Sequence, residues 1–312
     1  MPLASPWFQF SLPDFQYAFL SILLEGMPFL LGGAILSGAL EEFLPQSQMM
    51  RLLPRDPRVA VVVSGLLGMI FPVCECGIVP VVRRLLRKGL PLSCGITYML
   101  AAPIVNPLVI LSTLAAFRGQ GAVEMTVLRF VLGLSVAMAA GWVCSRFAPF
   151  SILRPGLLAP PSGEHSHGCQ DAAGGFLSRL RRVAEVATRD FLEVSVYFVV
   201  GAAAASLFST AVNQEIILPL AASPPLAIAS LMGLASVLSV CSTTDAFIAA
   251  TLTTFPMAAK LAFLVFGPML DFKLLFLYGA AFTRRFILFL ALGLFVTIGL
   301  LCWRLAALNL AW

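Results

Sequence analysis

The sequence predicts an all-α, polytopic membrane protein with about eight transmembrane helices in two repeated halves that contain broken helices. Apolar residues make up 60% of the 312 residues and charged residues only 11%, whereas soluble domains carry about 25% charged residues. Apolar runs of roughly 20 residues recur along the chain, long enough to cross a hydrocarbon core of about 30 Å. Similar short motifs also recur in the same order on either side of one polar segment.

The apolar runs define eight predicted spans and three regions. A first half covers 1–148, a cytoplasmic hydrophilic linker covers 149–188, and a second half covers 189–312. The linker begins with prolines and then becomes basic and amphipathic, which predicts a mobile start followed by a helix near the membrane surface. No cleavable signal peptide is expected, because the first residues lack Lys and Arg. The predicted spans are 16–40, 59–82, 92–117, 123–147, 189–212, 226–251, 257–281 and 286–308.

The two halves resemble each other at three places. Glu25 matches Glu193, the Val-Cys pair at 73–74 matches the pair at 240–241, and the Pro-containing motif at 102–106 matches the one at 267–271. The spacing between partners is nearly constant, which indicates an internal duplication of the kind common in secondary transporters. Four spans per half give parallel repeats. If the broken segments re-enter instead of crossing, the repeats are inverted, and the sequence leaves both open.

The Lys and Arg residues indicate an orientation. With the N-terminus inside and eight spans, the inner loops hold more basic residues than the outer loops, which favours a cytoplasmic linker and cytoplasmic termini in the inner membrane. The net charge of +5 therefore reads as a topology signal, and nucleic acid is not an expected partner. Arg83, Arg84, Arg87 and Lys88 are most simply a cytoplasmic anchor, with a loop gate as the alternative.

The first candidate site is Cys74-Glu75-Cys76. Pro72 and Gly77 flank it and favour unwound backbone. In extended backbone, residues two apart share a side, so both thiols are predicted to face one way and Glu75 the other, toward the partner half or solvent. Two thiolates suit a soft cation or a trivalent metalloid. The alternative is two small apolar side chains at a helix break.

The matching segment of the second half holds Cys241, Thr243, Thr244 and Asp245. A carboxylate in an apolar run is costly and usually faces a bundle interior or a cavity. Asp245 is therefore a candidate functional group. The alternatives are a structural ion pair and a helix N-cap, since Thr and Asp suit the start of a helix at 246–250.

Asn106 and Asp271 occupy equivalent positions, three residues after Pro103 and Pro268. Proline frees carbonyls in the preceding turn, which predicts a cradle for a polar substrate group or a proton beside each side chain. Proton coupling through Asp245 or Asp271 follows from their ionisable carboxyls. The alternative for the pair is hydrogen bonding between helices.

Two further groups carry weaker signals. Glu25 and Glu193 are most simply acids in the first turn of a helix. His165, His167 and Cys169 form a short tract that suits weak binding of zinc or a soft metal, against the alternative of a solvated linker. No phosphate-binding loop or hydrolase motif is present in the sequence. We therefore expect neither an enzyme nor a bound cofactor.

The run from Cys74 to Pro91, followed by Ala101 to Pro107, resembles the predicted-permease family that includes the arsenical permeases. The segments Cys241–Phe247 and Gly267–Asp271 resemble that family's second-half motifs. The resemblance implies an eight-span inner-membrane protein that exports trivalent organoarsenicals. Glu75 departs from the small residue expected between the two cysteines in many members.

Together these features predict a secondary permease for a small thiophilic solute, with efflux of trivalent inorganic or methylated arsenic as the named candidate. The expected partners are the lipid bilayer and the solute or metalloid itself, and homo-oligomerisation is left open. Two alternatives remain. One is a membrane thiol-redox protein that uses Cys74, Cys76 and Cys241, and the other is a metal-delivery membrane subunit that docks through its His-Cys tract.

Overall fold

A computed structural model describes residues 11–43, 54, 56–71, 73–146, 152–153, 176–211 and 223–308. Within these ranges the fold is all-α, as predicted. The β-structure described there is one isolated antiparallel bridge between Leu153 and Phe282. The predicted metal tract His165, His167 and Cys169 lies outside the described residues.

The described residues form twelve helices. In the first half these are α1 (Leu12–Phe43), α2 (Pro57–Ile70), α3 (Ile78–Arg87), α4 (Leu92–Val105), α5 (Pro107–Ala116) and α6 (Ala122–Cys144). In the second half they are α7 (Phe176–Ala211), α8 (Pro224–Leu238), α9 (Asp245–Thr251), α10 (Met257–Met269), α11 (Phe272–Tyr278) and α12 (Arg284–Ala307).

Six helical segments among the described residues are long and apolar enough to cross a membrane. They are α1, α4 with α5, α6, α7, α10 with α11, and α12. The eight predicted spans are not confirmed. The predicted spans 59–82 and 226–251 are each two short helices separated by non-helical backbone. The predicted surface helix before 189 is the first part of α7, which runs on unbroken into the apolar segment.

Local chemistry explains where the breaks fall. Asn106 caps α5 by accepting a hydrogen bond from the Leu108 amide at 3.0 Å, and Pro107 follows at the first helical position. Asp271 caps α11 by accepting from the Leu274 amide at 2.7 Å. α8 ends at Ser239, whose φ of 48° lies in the left-handed region that helices often use to stop.

The helices α2 and α3 enter and leave at the same end of the bundle. Ala60 and Val61 cluster with Cys94, and further along a Cβ at Gly68 would lie 2.6 Å from the Cα of Ala102. α2 therefore runs parallel to α4. Gly95 packs on Leu86, near the turn between α3 and α4, so α3 runs antiparallel to α4. We call α2 and α3 the first re-entrant pair, and residues 73–77 between them the first tip.

The second half repeats this arrangement. Ala235 of α8 lies beside Gly267 of α10, where an added Cβ on Gly267 would lie 3.4 Å from the Cβ of Ala235. Lys273 donates to the Ser239 carbonyl at 2.8 Å, so α8 runs parallel to α10. α9 packs against α5 and leads back to the start of α10. We call α8 and α9 the second re-entrant pair, and residues 239–244 the second tip.

The long helices α1 and α7 pack antiparallel at the centre. Arg182 pairs with Glu42 at 2.8 Å, and Phe198 lies against Gly26. We call the end that holds Glu42, Lys88 and Arg182 the linker face. The opposite end, at which α1 begins and where Lys260 lies 6.0 Å from the Phe117 ring centre, is the terminal face.

The directions of the remaining segments follow from these contacts. The first half begins at the terminal face and makes three crossings in alternating directions, so it finishes at the linker face. The three crossings are α1, α4 with α5, and α6. Residues 152–153 stay there and contact the turn at 282–283, where the Thr283 amide donates to the Ile152 carbonyl at 2.8 Å. The second half crosses back three times, and α12 brings the chain to the terminal face, where Trp303 lies near Pro225.

Candidate functional site

The two tips meet in the middle of the bundle and are joined by polar side chains. The Ser242 hydroxyl donates to Glu75 at 3.2 Å, which links the second tip directly to the first. Lys273 of α11 donates to Glu75 at 3.2 Å and to the Ser239 carbonyl at 2.8 Å. One ammonium group therefore holds both non-helical segments together.

Asp271 completes this cluster on the other side of Lys273. Its Oδ2 lies 3.4 Å from the lysine nitrogen and accepts no hydrogen bond, while its Oδ1 caps α11. Glu75, Asp271 and Lys273 are each at most 3% exposed. Two buried carboxyls thus share one cation, and the cluster carries a deficit of positive charge that a proton or a cationic solute would neutralise.

A small cavity lies beside this cluster, between α1, α7 and the two tips. Its volume is about 10 Å³, room for about one water molecule. Three thiols from both halves, Cys74, Cys76 and Cys241, reach it together with Glu75 and Lys273. The lining residues are Ile22, Glu25, Gly26, Phe29, Cys74, Glu75, Cys76, Phe198, Cys241 and Lys273.

The thiols are free, and they do not form a preassembled metal centre. All six cysteines in the described part of the chain are unpaired. Across those same residues, no three His, Cys, Asp or Glu side chains converge closely enough to hold a metal ion. A soft solute larger than one water molecule would therefore require the tips and the long helices to move apart before three sulfurs could surround it.

The position of Glu75 agrees with only part of the prediction. The prediction set it opposite the two thiols, toward the partner half or solvent. It does reach the partner half, through Ser242 and Lys273, and it is buried. It also lines the same cavity as Cys74 and Cys76, because residues 75–77 form a turn instead of an extended strand.

The other predicted residues divide into two groups. Thr243 donates to the Cys241 sulfur at 3.6 Å, and Thr244 lies 3.5 Å from a Glu25 carboxylate oxygen, so both stand near the cavity. Asn106 is buried, caps α5 and does not line the cavity. Asp245 points away from the thiols into an ion pair on α6.

That ion pair is an Arg clamp on the second tip. Arg129 donates to both carboxylate oxygens of Asp245 at 2.9 and 3.1 Å, to the Ser242 carbonyl at 3.0 Å and to the Thr113 hydroxyl at 2.8 Å. Arg129 is only 2% exposed. Nη2 makes the contacts to Asp245 and Ser242, and Nη1 makes the contact to Thr113, so the guanidinium is held in position from two sides. The first half thus holds the tip of the second half.

Sequence reasoning missed Arg129, because the predicted topology assigned it to an outer loop. A usable signal existed: Arg129 lies seven residues inside the apolar run 122–144, where an unpaired Arg is costly. Lys273, two residues after Asp271, could be expected to pair with an acid, and it is the central cation of the cluster. Its partner Glu75 is remote in sequence, so no local pattern joins the two.

A second group of ion pairs lies at the linker face. Arg83 of α3 pairs with Glu193 of α7 at 2.6 Å. Arg84 donates to both oxygens of Asp190 at 3.0 and 3.2 Å, and the Ser37 hydroxyl donates to the same carboxylate at 2.6 Å. The pairs join the first re-entrant pair to both central helices.

Known proteins resemble this chain over most of its length. A family profile described as "Predicted permease" matches residues 11–303. The "UPF0718 protein YcgR" of Bacillus subtilis strain 168 is 39% identical over 87% of this chain and 90% of its own length. The "Putative two-component membrane permease complex subunit" of Streptococcus mutans serotype c is 34% identical over 86% of this chain and 87% of its own length. No solved structure matches the chain.

Proposed function

Because the chain belongs to the predicted-permease family, and is therefore a multi-pass membrane transporter, we propose that it is a secondary permease for a small thiophilic solute that binds between the two tips. The observation that carries this proposal is the cavity itself, where thiols from both halves meet a buried charge cluster. Irregular backbone at membrane depth is tolerated where it is buried in protein or lines a cavity. Both tips meet that condition.

The proposed architecture is an inverted repeat of two four-part units. Each unit has a long first helix, a re-entrant pair, a broken span and a long last helix. The first unit starts at the terminal face and the second at the linker face, so equivalent segments run in opposite directions. Inverted repeats with broken helices around a midplane site are a common transporter design. Re-entrant pairs reduce the number of crossings in each half from four to three, which supports inverted repeats over parallel ones.

The same geometry changes the proposed orientation. Among the described residues, Arg118, Lys260 and Arg304 are the basic residues near the terminal face, whereas the linker face holds many more. Because basic residues favour the cytoplasmic side, we propose a cytoplasmic linker face in the cell membrane, with both termini outside. The termini were expected inside when eight spans were counted. The basic residues of the linker face are Arg58, Arg83, Arg84, Arg87, Lys88, Arg146, Arg179, Arg181, Arg182, Arg189, Arg284 and Arg285.

The solute is proposed to be a trivalent metalloid, with inorganic or methylated arsenic as the named candidate. Trivalent arsenic is soft and favours thiolate sulfur. Cys74 and Cys76 come from one tip and Cys241 from the other, so a three-sulfur complex would draw the tips together. The negative excess at Glu75, Asp271 and Lys273 suits a neutral or cationic solute better than an anion. It also gives a coupling proton a place to bind.

The test is uptake of arsenite and of methylarsenite into everted vesicles that contain the parent chain or the double variant Cys74→Ser, Cys76→Ser. We expect the double variant to lose uptake by at least tenfold. Cys94→Ser and Cys302→Ser are matched controls, because both residues are buried away from the cavity and should transport normally. Equal uptake by the double variant and the parent would refute a thiol-based site.

A thiol-redox protein makes a different prediction for the same cysteines. Mild oxidant would then produce a reversible disulfide among Cys74, Cys76 and Cys241, detectable by alkylation and mass spectrometry. A permease needs no such cycle, so the three thiols should stay alkylatable through repeated turnover.

A partner subunit is the second proposal that the relatives support. The Streptococcus mutans relative carries the name of a complex subunit. We propose that this chain also assembles with another membrane protein. Affinity purification of the tagged chain from mild detergent, followed by mass spectrometry, tests this against the chain alone and against a homo-oligomer.

A further inference from the structure

The cavity lies on one side of the contact between α1 and the first tip. Gly33 of α1 touches the backbone of Gly77, and the absence of side chains on both residues permits this approach. The residues of α1 that line the cavity, from Ile22 to Phe29, all lie on the terminal-face side of Gly33. From Gly33 to Glu41 the helix leads instead toward the linker face. Passage between the cavity and the linker face must therefore cross α3.

That route is closed by the charged residues of α3. Arg83 and Arg84 are only 5% and 8% exposed although both are arginines. Arg83 meets Glu193 at 2.6 Å and Arg84 meets Asp190 at 3.0 Å, both on α7. Ser37 of α1 donates to Asp190. The pairs thus tie the re-entrant helix to both long helices at the level just beyond the cavity.

Among the described residues, the terminal face has no equivalent set of ion pairs. In the proposed repeat, Glu193 matches Glu25 and Asp190 matches Ile22, while Arg83 and Arg84 match Ala250 and Thr251. Glu25 lines the cavity and accepts a hydrogen bond from the Thr244 hydroxyl at 3.5 Å. Three of the four charged positions of the linker-face ion pairs are therefore uncharged at the terminal face.

We propose that Arg83–Glu193 and Arg84–Asp190 form the gate between the cavity and the linker face, and that they hold the resting carrier closed on that side. This inference rests on the proposed permease function and adds the residues that decide which face the site opens to. The solute then enters or leaves at the linker face only when both ion pairs separate. The described residues of the terminal face hold no such pairs, so that side opens without breaking an ion pair.

The chemistry of the pairs suits a gate that opens as water enters. In the Arg84–Asp190 pair both side chains are 9% exposed, whereas Glu193 of the other pair is 47% exposed. Separating the buried pair without water leaves two uncompensated charges and is strongly unfavourable. Water that enters as the helices part solvates those charges. Arg83 Nε and Nη1 are buried without hydrogen-bond partners in the closed arrangement. Hydration in the open state satisfies them, which lowers the cost of opening.

The experiment measures from which side the cavity can be reached. Cys74, which is partly exposed and lines the cavity, is kept as the single cysteine in an otherwise cysteine-free chain. A small, charged methanethiosulfonate reagent is applied to right-side-out vesicles and to everted vesicles. With intact gate residues, we expect Cys74 to react faster from the terminal-face side. The double variant Arg83→Gln, Arg84→Gln should react at least tenfold faster from the linker-face side.

A charge exchange separates gating from simple loss of folding. The variant Arg83→Glu, Glu193→Arg restores one ion pair with reversed polarity and should return linker-face labelling toward the parent rate, whereas Arg83→Glu alone should not. Arg181→Gln is the matched control, because Arg181 pairs with Glu185 in an exposed i,i+4 salt bridge on α7, the helix that carries Glu193. Its labelling rates should equal those of the parent on both sides.

Two results would overturn the gate. One is unchanged sidedness in Arg83→Gln, Arg84→Gln while the variant retains the parent's thermal midpoint in detergent. The other is faster labelling from the linker face with the parent gate intact. The outcome is separate from that of the thiol test, because Cys74 serves only as a reporter here. The ion pairs could control sidedness while arsenite uptake does not depend on the thiols. That combination would refute the proposed solute and support the gate.

Discussion

The two re-entrant pairs have the same order of elements but are held in different ways. The first pair, α2 and α3, is tied at the linker face through Arg83 and Arg84, while its tip is held by Lys273 of the second half. The second pair, α8 and α9, is tied at its tip, where Arg129 of the first half contacts Asp245 and the Ser242 carbonyl. Among the described residues, arginines therefore hold the first pair at its outer end and the second pair at its inner end.

The central helices show the same contrast. Gly33 of α1 touches Gly77 in the first tip, whereas the equivalent Gly201 of α7 touches the backbone of Lys273, where an added Cβ would lie 2.8 Å from the carbonyl oxygen. Equivalent positions thus meet different partners. Two similar units in two different arrangements are what a carrier needs if it alternates by exchanging those arrangements.

The largest expected effect comes from removing the clamp on the second tip. Arg129→Leu leaves the Asp245 carboxylate buried without its cation, which should cost about 3–5 kcal/mol of stability. We expect a large fall in the thermal midpoint in detergent and loss of uptake. Replacing both partners, as in Arg129→Leu, Asp245→Leu, should recover most of the stability.

Arg118→Leu is the control for this change. Arg118 is exposed in the turn before α6, so its replacement should alter stability by no more than about 0.5 kcal/mol. If Arg129→Leu proved as mild as Arg118→Leu, the second tip would not depend on the clamp, and the contrast between the two pairs would disappear.

Removing the link between the tips should cost less stability than Arg129→Leu does, but it should also abolish uptake. Lys273→Met leaves Glu75 and Asp271 facing each other without a cation, at a cost of about 1–3 kcal/mol. The cost stays below that of the Arg129 change because Glu75 keeps its hydrogen bond from Ser242 and Asp271 keeps its hydrogen bond from the Leu274 amide.

The measurement is the thermal midpoint of Lys273→Met and of Lys273→Met, Glu75→Gln, beside arsenite uptake. The added Gln should restore stability but should not restore uptake. Recovery of uptake by the double variant would show that the charge cluster is structural and plays no part in the transport step.

The smallest effect comes from the contact between α1 and the first tip. In Gly33→Ala the new methyl group meets the Gly77 backbone, and forcing the two apart should cost about 1–3 kcal/mol. Gly32→Ala is a closely matched control on the same helix, because nothing lies within 4 Å of its Cβ position. That variant should be neutral or up to about 1 kcal/mol more stable. Equal thermal midpoints for the two variants would argue against a close approach at Gly33.

Much of the fold could be predicted because the bilayer imposes simple rules. The apolar runs at 123–147 and 286–308 predict α6 and α12 almost to their ends. Proline and small residues at 72–77 predict the first tip. The number of spans was not confirmed, because a run such as 59–82 has the same hydropathy whether its two halves cross or turn back. Only the packing of Gly68 beside Ala102 and of Gly95 beside Leu86 reveals the direction of each helix.

The candidate site divides in the same way. Each tip could be predicted as a polar break with thiols and acids, because such residues in an apolar run must face protein or a cavity. That Cys74, Cys76 and Cys241 share one cavity was not predictable from spacing. Nor was the role of Arg129, whose partner Asp245 lies 116 residues away.

The sequence by itself determined the membrane setting, the helical class and the positions of the breaks, because these depend on hydropathy and on local backbone chemistry. The tertiary structure alone decided which breaks meet and which charges pair. Those outcomes depend on contacts between residues far apart in the chain, such as Glu75 with Lys273 and Arg83 with Glu193. A buried charge must find an opposite charge somewhere, but only the folded arrangement selects the partner.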